Sequence, residues 1–103
     1  MLIHDGERIV FTGDSITDFD RKRPVGEGLG EGVGTGYVRL IHTLINALHP
    51  REVIRISNTG VGGNNILDLA ARWQQDVLDL NPDWVSVMIG VNDVWRRFDE
   101  PDV

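Results

Sequence analysis

A chain of 103 residues, 41% hydrophobic and 25% charged, is long enough for about one globular domain and too apolar to remain disordered. Its net charge of −6 and pI near 4.8 argue against a protein that neutralises phosphates or anionic lipid, so neither nucleic acid nor a membrane is expected as a partner. The absence of cysteine excludes thiol nucleophiles, disulfides and cysteine-held metals together.

The N-terminal MLIHDGERIVF reaches charged residues too soon for a signal peptide, and no stretch approaches transmembrane length. A soluble, cytoplasmic chain is the expectation. Ile9 to Thr12 then reads as a strand buried on both faces, and it stops on Gly13-Asp14-Ser15. Residues 24–36, PVGEGLGEGVGTG, carry glycine at every second position from Gly26 to Gly36 and predict a mobile surface loop. This stretch lacks the Gly-Lys-Ser/Thr ending of a phosphate-binding P-loop.

Tyr37, Leu40, Ile41, Leu44, Ile45 and Leu48 recur at steps of three and four, which predicts an amphipathic helix ended by Pro50. Val53 to Ser57 reads as a second strand. Ile66, Leu69, Ala70, Trp73, Val77 and Leu80 form the apolar stripe of a second helix, capped by Asn64 or Asn65 and followed by Pro82. Trp84 to Ile89 is the third strand, and both Trp73 and Trp84 are expected in the core. The βαβαβ alternation predicts a parallel α/β sheet, because parallel neighbours need a crossover and the crossover is usually a helix. Three strands are few for a doubly wound sheet, so apolar sheet edge should be left exposed.

Ligands of open parallel sheets bind beyond the carboxyl ends of the strands. Three loops fall there: Gly13-Asp14-Ser15, SNTGVGGNN (residues 57–65) and IGVNDVW (residues 89–95). A serine at a strand-to-helix turn exposes its hydroxyl beside its own backbone N–H. A glycine N–H from the second loop and the Asn92 side chain could join it around one oxyanion. Each piece also has a plainer reading: Gly-Asp-Ser and Asn92-Asp93 are common turns, Asp14 suits a helix start, and Gly60, Gly62 and Gly63 ease a turn. Their convergence on one sheet edge favours chemistry.

FTGDSITD, NTGVGGNN and IGVNDVW resemble, in order, the first three blocks of the SGNH or GDSL hydrolase family. GDSITDFDRKRPVGEG, GTGYV, ARWQQDV and PDWVSVMIGVNDVWR are further similar to the bacterial intracellular acetyl-xylo-oligosaccharide esterases of that family. The resemblance implies a flavodoxin-like three-layer α/β/α sandwich, present here as its N-terminal βαβαβ part. It implies two-step acyl transfer through an acyl-serine, with Ser15 as nucleophile and first oxyanion donor, Gly63 as the second donor and Asn92 as the third. Gly62 would stand at the family's serine position of that block. Asp14 and Trp95 are the expected substrate contacts, although core packing suits Trp95 equally. The substrate implied is an acetylated carbohydrate. A lipase-like or thioester-directed enzyme, and a noncatalytic carbohydrate-binding or assembly module, are the alternative readings.

The family draws its base and orienting acid from a late Asp-x-x-His block, and His4, His42 and His49 are the only histidines here, none with an aspartate three residues before it. The expectation is therefore a half-site with little activity by itself, completed by a C-terminal complement or self-association as a homo-oligomer. No cofactor and no metal are expected; Asp14, Asp18 and Asp20 imitate a calcium loop, but Ile16 and Lys22 occupy ligand positions.

Overall fold

A computed structural model describes residues 2–28 and 31–94. Three parallel strands, β1 (Arg8–Gly13), β2 (Arg55–Asn58) and β3 (Trp84–Met88), form one sheet in the order β2-β1-β3. The uninterrupted apolar run of β1 takes the centre, where both faces are covered: Ile9, Val10, Phe11 and Thr12 are all buried. Ile9 stands opposite Ile56 on one side and Trp84 on the other.

Alternation along β1 sends Ile9 and Phe11 to one face, where α2 (Tyr37–Leu48) covers them with Tyr37, Val38, Ile41 and Ile45. The Phe11 and Tyr37 rings meet edge to face at 6.2 Å. On the opposite face, α3 (Ile66–Ala71) and Trp73 of α4 (Trp73–Asp76) line an apolar hollow together with Val87 of β3. Helices on both faces of a parallel sheet are the expected α/β/α layering. β2 and β3 flank β1 on opposite sides, so the crossover from β1 leads to one side and the crossover from β2 passes back over β1 to the other, which brings the loops after all three strands to the carboxyl edge of the sheet.

Four sequence expectations are corrected. The second helix is not continuous over residues 66–80: it divides into α3, α4 and a 3₁₀ turn at Leu78–Leu80, with breaks at Arg72 and Val77. The Arg72 guanidinium reaches to the Gly13 carbonyl at the end of β1 and the Thr59 carbonyl just past β2, and Val77 turns fully inward; a periodicity count registers neither. The start is capped by Asn65, whose Oδ1 accepts the Asp68 N–H at 2.9 Å while Asp68 returns the bond to the Asn65 N–H at 3.0 Å. The second strand begins at Arg55, and Val53 is exposed.

Trp84 is not core but 42% exposed, since β3 is an edge strand with apolar side chains open on both faces, and Trp73 is only half-buried. The described parts of the glycine-rich segment, residues 24–28 and 31–36, are packed rather than a free surface loop. Val33 is 1% exposed within the core, Gly26 and Asn58 exchange backbone bonds of 2.9 and 2.8 Å, and Glu27 pairs with Arg8, Arg55 and Ser57. Among the described residues no helix is long and apolar enough to cross a membrane.

Candidate active site

The chain leaves β1 through a position that only glycine can fill. A Cβ on Gly13 would lie 2.0 Å from the Met88 carbonyl oxygen, so its absence lets β1 and β3 close together where the backbone turns outward. Asp14 follows as the cap of α1 (Ser15–Asp18): its Oδ1 accepts the Ile16 N–H at 3.0 Å and the residue is 1% exposed. Asp14 thus takes the helix-start role and is turned inward. Ser15 opens α1 and is exposed, and its hydroxyl makes no hydrogen bond to the described residues.

The loop after β2 lies directly on this turn. Thr59 and Val61 donate their N–H groups to Phe11 O at 2.9 Å and Gly13 O at 3.0 Å, continuing the sheet past β2. A side chain at Gly60 would meet the Asp18 nitrogen at 2.6 Å, so this glycine is needed for the loop to touch α1. Asn58, fully buried, ties three segments: its Nδ2 donates to Thr17 O and Val33 O, and its Oδ1 accepts the Gly60 N–H. A Cβ on Gly62 would lie 3.7 Å from the Ser15 Cβ, and the Gly62 N–H donates to Asp18 Oδ2 at 3.0 Å. Gly63 follows with φ +82°.

The loop after β3 is clamped to the second. Asn92 Nδ2 donates to Asn64 O at 2.9 Å, which leaves the second hydrogen of that amide for another acceptor. The Asp93 carboxylate accepts the Ile66 N–H at the start of α3. Ser15, the 60–64 loop and Asn92 are therefore brought to one sheet edge through named contacts, while Trp95 lies outside the described residues.

The sequence profile of the GDSL-like lipase/acylhydrolase family matches residues 11–103, which include all three loops. The chain belongs to that family. It is 52% identical over 101 residues to an acetylxylan esterase from Geobacillus stearothermophilus, covering 98% of this chain and 46% of that protein. The crystal structure of a catalytic mutant of that organism's acetylxylan esterase Axe2 superposes with a TM-score of 0.96 at 52% identity, over 99% of this chain and 47% of the other. LAE5, described as an alpha/beta hydrolase enzyme from the metagenome of Lake Arreo, Spain, gives 0.92 at 48% identity, over 100% of this chain and 48% of its own. The chain spans about half the length of the curated relative it matches. Catalytic mutants of Axe2 have been solved with alanine in place of a serine, an aspartate and a histidine.

Two features of this GDSL-family site are not evident from the three blocks. Arg23 grips Asp18 through both guanidinium nitrogens at 2.8 and 2.6 Å, while the same carboxylate holds Gly62. Burial pushes the Asp18 pKa upward, but the bonds from Arg23 and Gly62 and the nearby Arg23 and Arg21 charges outweigh it, leaving the group below its ordinary value. A carboxylate held lower in the folded state than in the unfolded one stabilises the fold above pH ~4 and loses that contribution as pH falls through the folded value. Asp18→Asn is expected to flatten the acid side of the stability profile, checked by urea unfolding between neutral and acid pH. An unchanged acid slope would contradict it.

The second feature is Arg72. Its guanidinium donates to Gly13 O (2.9 Å), Thr59 O (2.6 Å), Thr12 Oγ1 (3.3 Å), Asn64 Oδ1 (2.7 Å) and Asp76 Oδ2 (3.1 Å). It links the end of β1 to the second loop and, through Asn64, to Asn92. A sequence signal existed: Arg72 stands three residues after Leu69 and so falls on the sheet-facing side of the helical pattern. Asp18 offered a weaker one, an acid one turn beyond Ser15. None of His4, His42 and His49 bonds to Ser15; His42 lies on α2, and His49 caps its end beside Glu52. Among the described residues no group of three or more His, Cys, Asp or Glu could hold a metal ion.

Proposed function

We propose that this chain carries the nucleophile half of a serine ester hydrolase that removes acetyl groups from carbohydrates such as acetylated xylo-oligosaccharides. The observation that carries this reading is an exposed Ser15 hydroxyl, bonded to none of the described residues, at a strand-to-helix turn onto which the loop after β2 folds, with the loop after β3 clamped to that one, in a GDSL-family chain. Half identity to an acetylxylan esterase across nearly the whole chain supports the acetyl and sugar specificity.

In this scheme Ser15 Oγ attacks the acetyl carbonyl carbon as its proton passes to a base. The resulting oxyanion is met by the N–H groups of Ser15 and Gly63 and by the remaining Asn92 amide hydrogen. The C–O bond to the sugar then breaks, the sugar oxygen takes the proton, and water releases acetate from the acyl-serine. The base and its orienting acid come, on this reading, from the half of the relatives that this chain does not span, or from a completing partner. The apolar faces left open along β3 support such an association, and a cysteine-free chain suits a cytoplasmic setting.

The test uses the protein expressed from its full reading frame. Acetate release from acetylated xylo-oligosaccharides should exceed hydrolysis of octanoyl esters, and a trapped intermediate should carry one acetyl group on Ser15. Preference for the long acyl chain would favour the lipase-like alternative.

A further inference from the structure

Phe19 is unusual on three counts. It is an aromatic residue in the left-handed region, with φ 34° and ψ 58°, and the next residue, Asp20, is left-handed as well at φ 64°. Such a conformation is rare for a bulky side chain, and backbone strain of this kind concentrates at functional sites. The residue is 53% exposed instead of buried. It also shares an open hollow of about 280 Å³ with Ser15, Asp18 and Asp20, close to the lower end of small-molecule sites (about 300 Å³).

The conformation is held on both sides. The Phe19 N–H donates to Ser15 O at 3.0 Å, closing α1, and its carbonyl accepts both the N–H and the hydroxyl of Thr35 at 2.8 and 3.2 Å. The packed glycine-rich segment thus fixes the turn that presents the ring beside the serine. In the same hollow, Asp18 is occupied by Arg23 and Gly62, whereas the exposed Asp20 carboxylate makes no hydrogen bond among the described residues. An exposed aromatic face with an adjacent acceptor suits a pyranose, whose C–H face stacks and whose hydroxyls donate.

We propose that Phe19 and Asp20 form a sugar subsite next to Ser15, holding the ring that bears the scissile acetyl group or its neighbour. This rests on the carbohydrate reading above.

The experiment compares Phe19→Asn and Phe19→Tyr in the protein from its full reading frame, on acetylated xylo-oligosaccharides and on 4-nitrophenyl acetate. Asparagine tolerates the left-handed backbone, so it removes the ring while keeping the turn. The ratio of kcat/KM on the sugar ester to that on the small ester should fall about three- to tenfold in Phe19→Asn, mainly through KM, as expected for loss of one stacking contact. Phe19→Tyr should restore it. Equal losses on both substrates, or an unchanged ratio, would overturn the subsite while leaving the deacetylation reading in place. A parent protein that cleaves 4-nitrophenyl acetate but no acetylated sugar would overturn both.

Discussion

Alanine at position 15 is expected to lower ester hydrolysis by the protein from its full reading frame by about 10⁴-fold or more, with stability unchanged to within about 0.5 kcal/mol. Both halves of that expectation come from the same local geometry. The Ser15 hydroxyl is exposed and bonds to none of the described residues, so its removal breaks no structural contact. The α1 cap belongs to the Asp14 side chain, and alanine retains the backbone N–H assigned to the oxyanion. What is lost is the atom proposed to form the acyl-enzyme, and on that mechanism the remaining donors alone leave only residual catalysis. The measurement pairs initial rates on an acetyl ester with a thermal unfolding curve. A variant that retains more than about a hundredth of the parent rate would remove Ser15 from the nucleophile role.

Arg72→Met is expected to have the largest effect on stability, a loss of about 3–5 kcal/mol, because it strands charged and polar partners in a mostly buried setting. The guanidinium side chain is 16% exposed and the Asp76 carboxylate it faces 24%. Methionine replaces the volume of the stem but returns none of the five hydrogen bonds. The carbonyls of Gly13 and Thr59 keep weaker alternatives in the Val61 N–H and the Thr12 hydroxyl, whereas Asn64 loses the anchor that positions the Asn92 amide. On the proposed role of Asn92 as an oxyanion donor, turnover should therefore fall beyond what unfolding explains, since small displacements of such a donor are costly. Arg72→Lys should recover part of the stability through Asp76 but not the loop geometry, because an ammonium cannot span the same acceptors as a planar fork. Urea unfolding gives the first quantity and kcat measured under folded conditions the second; a stability loss below about 1 kcal/mol would mean the network is an exposed-type pair of little weight.

The elements most legible in the sequence were those with one dominant local cause. The central strand was readable because Ile9 to Thr12 is apolar without alternation, and α2 because its stripe runs unbroken from Tyr37 to Leu48. The α/β class and the family followed from the order of strands, helices and the three loop blocks. The positions of Ser15, Gly63 and Asn92 at strand ends were likewise a matter of sequence order alone.

Long-range contacts settled the rest. The glycine-rich stretch has no local propensity for order, so only its docking of Val33 into the core and of Gly26 and Glu27 against β2 makes it part of the fold. The second helix kept its apolar period in the sequence, but it breaks at Arg72, whose mostly buried guanidinium bonds to the Gly13 carbonyl 59 residues away and to the Thr59 carbonyl 13 residues away. Asp14 and Asp18 are similar acids four residues apart, and nothing local tells that one caps a helix while the other clamps Gly62 with Arg23. By itself the sequence determined which groups arrive at the carboxyl edge of the sheet. Their burial, pairing and orientation were decided by tertiary structure, because hydrogen-bond partners and charge neutralisation depend on segments that meet only after folding.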